Sequence, residues 1–482
     1  MMQKILPSLG RFQGAMLCSA VGDALGWPTE SVDPHGNRQP PFDVPLHDFV
    51  LPWQKVTGGK WWGYEEPIGP GEYSDDTQLA LAVARCITET GTFEPERFAY
   101  QELPLWLQYE RGGGKSVKTA ARTLIGKNAD WLRNFYKQAA FDYRSAGANG
   151  AAMRTLPIAL VNSSDEGQMI RDSFLHAIIT HGHPRAIIGA ILFSLAVRYA
   201  LTTSSNPAVE PCIEYLRNGI ERVEPIMRCD DQLARWMHDW EKQNGGKETS
   251  FRHLFNETCQ EAFHHLEGMP QLLHEEQRTY YTLVGALTSA TRGSGLATVC
   301  VAIFLFLKYC DHPEEVLTAA VNAFGSDTDT IAVFLGALLG ACHGLKAVPA
   351  HLFGHVQDQA YLLETAKRLH IIADREERAS LLAQDRRLQR EDAYRNILSW
   401  DKDFQKMLQD VLAVGDVVSH PTLGQGRLTQ KLEKPIRREG SVGKLVTVQF
   451  ECGQSCVFHS RVGRNGSMSG SLALDVESAL RR

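Results

Sequence analysis

The sequence predicts a mainly α-helical protein, in which a large helical bundle is followed by a small β-barrel. Two observations carry this prediction. Residues 1–365 contain long segments rich in Ala, Leu and Gly, and several are apolar nearly all round, as helices at the centre of a bundle are. After residue 415, apolar and polar residues alternate between glycine turns, a pattern typical of antiparallel strands.

The helices of the main domain are predicted from apolar segments that recur from the N-terminus onward. Small residues in these segments permit close packing, and the more polar residues 202–280 favour surface helices. Convincing strand patterns are lacking, so all of residues 1–365 is predicted to be helical. The apolar segments are 10–26, 74–90, 183–201, 280–291, 295–309 and 328–344.

Two smaller regions complete the chain. Residues 366–412 are rich in charge, which predicts a connecting helix with solvated faces. Residues 413–482 carry the strand patterns GDVVSHPTLGQGRLTQKL and GKLVTVQFECGQSCVFHSRV, which predict a small antiparallel barrel. This last region has ten Lys and Arg against six Asp and Glu, whereas the whole chain has a net charge of −6.

Composition places the chain among ordinary globular proteins, with 43% hydrophobic and 22% charged residues. Its negative net charge does not indicate general nucleic-acid binding. The ten cysteines lack the spacing of a metal-ligand motif, and the N-terminus lacks a signal-peptide pattern. Apolar runs such as 296–308 are shorter than the roughly 20 residues of a membrane span. A reducing, cytoplasmic location is therefore expected.

The first functional signal is EYSDDTQLALAVAR at residues 72–85, where Ser74, Asp75 and Asp76 precede an apolar helix. Such a start is commonly a helix cap, because a side-chain oxygen accepts a hydrogen bond from an unpaired N–H group. Negative charge also suits the positive end of the helix dipole. This segment alone therefore favours capping.

A second segment changes that interpretation. NAFGSDTDTIAVFLGALLGA at residues 322–341 places Asp327, Asp329 and Thr330 ahead of another apolar helix. One cap needs only one acceptor, whereas two oxygen-rich helix starts in one chain indicate a common target. Mg²⁺ is the natural candidate, because it prefers carboxylate, hydroxyl and water oxygens.

Three glycine-punctuated segments accompany the acidic motifs: GDALGWPTE (22–30), GANGAAMRTLPIAL (147–160) and THGHPRAIIGAIL (180–192). Together and in this order, the five segments resemble the ADP-ribosylglycohydrolase family, including its dinitrogenase-reductase-activating members. The resemblance covers roughly residues 8–365. It implies a large all-α orthogonal bundle with a two-magnesium site that releases ADP-ribose, and so makes residues 1–365 the catalytic domain.

The resemblance also implies a set of metal ligands, in which a Ser stands where many family members have Thr. Asp329 is expected to bridge two Mg²⁺ ions, for which Mn²⁺ could substitute. The implied ligands are Ser74, Asp75, Asp76, Asp327, Asp329 and Thr330.

Catalytic or supporting roles are expected for two further carboxylates and for Asp327. Glu30 matches the acidic residue that closes the family's GDxxG…E segment, and either Glu30 or Asp327 could accept a proton from the attacking water. Asp23 lies within a helical pattern that faces the core, and it is expected to orient the ligands.

Substrate contacts are implied for a glycine-rich loop and a histidine. The loop would approach the diphosphate and ribose, because glycine permits close approach, and a plain turn into a helix is the alternative. The histidine could instead be a cap or a packing residue. Arg154 and His183 are expected to be mostly structural. The implied substrate-binding residues are Asn149, Gly150, Met153 and His181.

The leading functional hypothesis is magnesium-dependent hydrolysis of an ADP-ribosyl N- or O-glycosidic bond in a modified protein, nucleic acid or small molecule. Two alternatives stay open. One is an inactive module that binds ADP-ribose, and the other is a two-metal hydrolase acting on a nucleotide or phosphate ester. The leaving group is expected to contact loops within 31–70 and 100–146.

The C-terminal region carries a resemblance of its own. Its V-x-HP-x-x-G-x-G turn at residues 418–426 resembles the Tudor- or SH3-like barrels that end some bacterial helicases. This implies a protein or nucleic-acid partner, with a purely structural role as the alternative. No membrane association is expected.

Overall fold

The computed structural model describes most of the chain, and the described part is mainly helical, as predicted. The described residues are 6–30, 32, 42–50, 52–57, 64–139, 141–203, 207–242, 250–374, 386–410, 412–435 and 442–459. The helices up to residue 242 are α1 (Leu9–Gly26), α2 (Asp75–Arg85), α3 (Pro95–Arg97), α4 (Leu103–Trp106), α5 (Lys115–Leu124), α6 (Leu156–Val161), α7 (Glu166–Ile178), α8 (Pro184–Thr202), α9 (Val209–Glu221), α10 (Val223–Cys229) and α11 (Asp231–Lys242). The later helices are α12 (Phe251–Glu267), α13 (Met269–Leu272), α14 (Gln277–Leu283), α15 (Gly295–Tyr309), α16 (Pro313–Val321), α17 (Thr328–His343), α18 (Gln359–Asp374) and α19 (Arg386–Asp410).

The centre of the bundle is formed by the apolar helices α1, α8, α15 and α17. Segments of α8 and α17 are long and apolar enough to cross a membrane, but 78% and 83% of them are buried inside the protein. Phe193 of α8 packs on Phe334 of α17 with ring centroids 4.6 Å apart. These helices are therefore core helices of the bundle, as their composition predicts.

Helices α1 and α17 lie in direct backbone contact, because both carry glycines where they meet. A Cβ atom at Gly336 would lie 2.2 Å from the carbonyl oxygen of Cys18. One at Gly22 would lie 2.2 Å from the carbonyl oxygen of Ala332. Any side chain at these positions would force the helices apart, so the glycines fix the distance between α1 and α17.

A two-stranded antiparallel hairpin is an exception to the predicted all-helical composition of residues 1–365. It consists of β1 (Trp53–Thr57) and β2 (Tyr64–Ile68). Its alternation is hidden in the sequence because Glu66 faces inward, where it forms an ion pair of 2.9 Å with Arg111. A buried acid in a five-residue strand masks the apolar pattern.

The predicted C-terminal strands are present as β3 (Val417–His420), β4 (Gly424–Pro435), β5 (Val442–Phe450) and β6 (Ser455–His459). They form one antiparallel sheet in the order β3-β4-β5-β6. Among the described residues, β3 and β6 stand at opposite edges of this sheet. The described residues thus form a four-stranded antiparallel sheet, the barrel stays a prediction, and residues 460–482 lie outside the described part.

The C-terminal sheet is packed against the helical bundle. Phe458 of β6 contacts Tyr109 with ring centroids 5.7 Å apart, and Gln454 accepts a hydrogen bond of 2.7 Å from Arg85. Helix α19 lies beside both, since Phe404 packs on Phe458 at 4.9 Å. The region predicted as a connector is therefore partly buried, and its predicted start at residue 366 falls inside α18.

Candidate active site

A cavity of about 720 Å³ lies where α2 and α17 begin. It brings together carboxylates from both acidic motifs, which are far apart in the chain. The same cavity is lined by the glycine-rich loop and by the histidine that the sequence singled out. The predicted site residues in its wall are Glu30, Asp75, Asp76, Asn149, Gly150, Met153, His181, Asp327, Asp329 and Thr330.

The start of α2 is held by side-chain hydrogen bonds. The Ser74 hydroxyl accepts a bond of 3.2 Å from the N–H group of Asp76 and so caps the helix. Asp23 of α1 accepts bonds from the N–H groups of Ser74 and Thr77, each at 3.0 Å, and from the Thr77 hydroxyl at 2.6 Å. Ser74 thus acts as a cap and lies outside the cavity wall, while Asp23 orients the turn, as expected. The role of Ser74 as a metal ligand stays a prediction.

The start of α17 is positioned mainly by backbone packing. A Cβ atom at Gly26 would lie 2.6 Å from the Cα atom of Asp329, so α1 touches this turn directly. Asp327 accepts a hydrogen bond of 3.1 Å from the Asn149 amide, which links the glycine-rich loop to the acidic motif. The N–H group of Thr330 donates to Asp329 at 2.8 Å.

Burial and mutual repulsion make the carboxylates of this cavity difficult to ionise. Desolvation, followed by neighbouring carboxylates, raises the pKa of Asp75, Asp76 and Asp329 well above the ordinary value. One oxygen of Asp76 is buried without a hydrogen-bond partner among the described residues. Uncompensated buried carboxylates are costly, so the donor set fits a divalent cation, which would supply the missing positive charge.

Glu30 follows a 3₁₀ turn, Trp27–Thr29, that continues α1 into the cavity wall. Its carboxylate lies 3.7 Å from the Lys55 ammonium of β1, and Lys55 also lies over the Trp27 ring at 4.7 Å. Desolvation raises the pKa of Glu30, and Lys55 opposes that shift. A carboxyl group with a raised pKa is suited to exchanging a proton with water near neutral pH.

The glycine-rich loop and the histidine are in contact. A Cβ atom at Gly150 would lie 3.1 Å from Cε1 of His181, so a side chain there would crowd the ring. His181 pairs through Nδ1 with the Thr180 hydroxyl at 2.7 Å. Its buried Nε2 has no hydrogen-bond partner among the described residues. Desolvation lowers the pKa of His181 to about 3, so the ring is neutral at physiological pH.

Arg154 and His183 hold the backbone beside the cavity. Arg154 is fully buried beneath the loop and donates to the Gly150 carbonyl at 2.5 Å and to the Thr180 hydroxyl at 2.6 Å. His183 caps α8, where its Nδ1 accepts a bond of 3.1 Å from the Arg185 N–H group, and it also reaches the cavity wall. Both contacts agree with the structural roles expected from the sequence.

Three cationic residues of the cavity wall, Lys115, Arg185 and Arg292, were missed by sequence reasoning. Lys115 belongs to the RGGGKS segment, which lacks the spacing of a phosphate loop but starts α5 at the cavity rim. Arg185 lies inside the segment THGHPRAIIGAIL, in which the sequence singled out only the two histidines. Arg292 offered no local signal. The sequence suggests that Trp61, Trp62 and Tyr64 could stack on adenine or equally pack at the surface. Trp61 and Trp62 lie outside the described residues, and Tyr64 is buried and does not line the cavity.

Carboxylates from two helix starts meet in one cavity, beside a neutral histidine, and this arrangement makes the cavity the candidate active site. The family model described as ADP-ribosylglycohydrolase matches residues 6–379. The chain therefore belongs to the ADP-ribosylglycohydrolase family and is a glycohydrolase enzyme. The C-terminal sheet lies beyond the matched residues.

Individual relatives agree with this assignment. The ADP-ribosylhydrolase ARH3 of Danio rerio is 28% identical over 362 residues, which cover 71% of this chain and 85% of the relative. The ADP-ribosyl-(dinitrogen reductase) glycohydrolase of Rhodospirillum rubrum is 32% identical over 174 residues, which cover 36% of this chain and 52% of the relative. A solved structure titled ADP-ribosylglycohydrolase-related protein complex has a TM-score of 0.48 and 20% identity, and the match covers 76% of this chain and 98% of that one.

Proposed function

We propose that this protein hydrolyses the N- or O-glycosidic bond of an ADP-ribosyl group and releases ADP-ribose, with two Mg²⁺ ions as cofactors. The observation that carries the proposal is the meeting of both acidic motifs in one buried cavity. Family membership supports the reaction class. The names of the relatives in Danio rerio and Rhodospirillum rubrum support ADP-ribose as the group released.

The two proposed Mg²⁺ ions would be bound by side-chain oxygens at the starts of α2 and α17. When bound, Mg²⁺ supplies positive charge that orients sugar hydroxyls and acidifies water, and Mn²⁺ could substitute for it. The residues that would hold the ions are Ser74, Asp75, Asp76, Asp327, Asp329 and Thr330. Three of them, Asp75, Asp76 and Asp329, are buried carboxylates whose raised pKa reflects the lack of a counter-charge.

Proton transfer is assigned to a carboxylate at the cavity wall. Glu30, or Asp327 in its place, would accept the proton of the water that attacks the anomeric carbon as the glycosidic bond breaks. His181 is neutral, and its unpaired Nε2 can hydrogen-bond a substrate hydroxyl or oxygen. Lys115 and Arg292 place positive charge near the anionic diphosphate of such a substrate.

The test is ADP-ribose release from a panel of arginine-, serine- and nucleic-acid-linked conjugates. We expect Asp75→Ala with Asp76→Ala to slow release by about a thousandfold, because several kcal/mol of charge stabilisation are lost. Asp165→Ala is the matched control, since Asp165 caps α7 outside the cavity wall. If release continues unchanged in a chelator, the metal mechanism is wrong.

Other results of the same panel would replace the proposal. ADP-ribose binding by calorimetry without turnover of any conjugate would identify a binding module. Preferential phosphate release from nucleotides would identify a phosphate-ester hydrolase.

We also propose, from the resemblance to helicase-associated barrels, that the C-terminal sheet binds a protein or nucleic-acid partner. Its described surface includes the exposed Arg427 and the half-buried Lys434 and Lys444. If nucleic acid binds there, Lys434→Glu with Lys444→Glu should weaken binding and reduce its salt dependence. The cytoplasmic location stays a proposal as well, and the ten free cysteines are compatible with it.

A further inference from the structure

A second cluster of ligand-type side chains lies at the opposite end of α17 from the cavity. Cys310 directly follows α15, while Cys342 and His343 end α17. One ligand atom from each residue lies within 4.8 Å of the other two. The 16 residues of α17 separate this cluster from the acidic motif by about 24 Å at 1.5 Å per residue. It is therefore a separate feature of the fold.

The environment of the cluster suits a bound ion. Cys310 and Cys342 are each only 3% exposed, and His343 is half-buried, so the cluster can be reached from one side. The Cys310 thiol donates to the Cys342 sulfur, and His343 Nε2 lies 3.1 Å from Cys310 Sγ and 2.8 Å from the Cys310 carbonyl oxygen. Arg11 and Asp311 are the charged groups whose fields reach the cluster.

The distance between the two free sulfur atoms fits a tetrahedral metal centre. The two sulfur atoms are 3.8 Å apart. Zn–S bonds of about 2.3 Å at the tetrahedral angle also place two sulfurs about 3.8 Å apart. A disulfide would need about 2.05 Å. The distance from Cys310 Sγ to His343 Nε2 is 3.1 Å, so the ring would move outward by about 0.5 Å to reach ideal coordination.

We propose that Cys310, Cys342 and His343 bind a thiophilic divalent ion of the Zn²⁺ class, with water or Asp311 completing the coordination. Two thiolates and an imidazole are the donors that select such an ion over Mg²⁺. The ion joins the ends of two core helices, α15 and α17, and lies too far from the cavity to contact the substrate. Its role is therefore to stabilise the bundle.

The test is a cobalt titration of the reduced, full-length protein, because a cobalt–thiolate bond absorbs in the near ultraviolet and a cobalt–carboxylate bond does not. We expect one equivalent of Co²⁺ to produce this absorption and Zn²⁺ to abolish it by displacement. Cys310→Ala and Cys342→Ala should each lose the absorption. Cys300→Ala should retain the absorption, because Cys300 is a buried cysteine within α15 and does not belong to the cluster. The proposal is independent of the catalytic metal pair, so Asp329→Asn should also retain it.

A second measurement needs no variant. Alkylation of the unsubstituted protein, mapped by mass spectrometry, should show that Zn²⁺ protects Cys310 and Cys342 and leaves the exposed Cys229 reactive. Zn²⁺ should also raise the melting temperature by a few degrees. The proposal is overturned if reduced protein gives no cobalt–thiolate absorption. It is also overturned if Cys310 and Cys342 form a disulfide and the protein still binds no Co²⁺ after that disulfide has been reduced.

Discussion

Helices α2 and α17 begin at the same cavity, but their first turns are positioned by different means. The turn of α2 is held by side-chain hydrogen bonds, one to Ser74 and three to Asp23 of α1. The turn of α17 is set by backbone contact with α1 through glycines. Both supports come from α1, so one helix places both pairs of carboxylates. A side-chain support can be removed by a single substitution, whereas a backbone contact changes only if the helices separate.

The largest effect should come from breaking the backbone contact. Gly336→Val places a side chain where the Cys18 carbonyl lies, and backbone atoms cannot move aside cheaply. We expect a loss of about 3 kcal/mol or more in the free energy of unfolding, together with loss of activity. Denaturant unfolding and ADP-ribose release measure the two effects.

The control for that variant is Gly10→Ala on the same helix α1. A Cβ atom at Gly10 meets no atom within 4 Å, so this change should stabilise the protein by about 0.5–1 kcal/mol. If Gly10→Ala and Gly336→Val lowered the free energy of unfolding equally, the glycines would act through helix propensity and not through contact.

Removing the side-chain support should have the next largest effect. Asp23→Ala leaves three buried donors of Ser74 and Thr77 unpaired, and we expect it to cost about 2–3 kcal/mol. Thr77→Val removes only one of these bonds and should cost about 1 kcal/mol. If Asp23→Ala retains full activity and full response to Mg²⁺, the start of α2 does not depend on this support.

A pH series separates the two roles of the carboxylates, capping and cation binding. The pKa of Asp75, Asp76 and Asp329 is raised in the folded protein, so the fold retains protons that the unfolded chain releases. Without Mg²⁺, the free energy of unfolding should therefore fall as the pH rises above about 4, the ordinary pKa of Asp.

Saturating Mg²⁺ should make the free energy of unfolding depend less on pH, because the ions neutralise the site. Asp329→Asn should also reduce this pH dependence, without added Mg²⁺. Thermal unfolding from pH 4 to pH 8, with and without Mg²⁺, provides the measurement. Identical curves in both conditions would argue that the carboxylates act only as helix caps.

A smaller effect than that of Asp23→Ala is expected at the far end of α2. Gln454 of the C-terminal sheet accepts a hydrogen bond from Arg85, the last residue of this helix. Gln454→Ala should cost about 1–2 kcal/mol, because the bond is buried and charge-assisted, and it should leave the rate of ADP-ribose release unchanged. A fall in that rate would mean that the sheet influences the cavity through α2.

Features that depend on local sequence were the ones that could be predicted. The core helices and both acidic starts follow from composition and from cap chemistry within a few residues. The hairpin could not be predicted, because its inward Glu66 is neutralised by the distant Arg111. Arg292 and the pairing of Cys310 with Cys342 also depend on contacts between distant parts of the chain. The metal-binding and substrate-binding roles of the cavity residues stay predictions.

The glycine contact between α1 and α17 has a consequence for how a substrate enters. Two helices that meet backbone to backbone cannot slide or tilt without colliding, so the α17 side of the cavity is fixed by packing. Room for a bulky conjugate must then come from other parts of the cavity wall, which include residues 114–117 and 289–294. We expect the choice of substrate to depend on these segments.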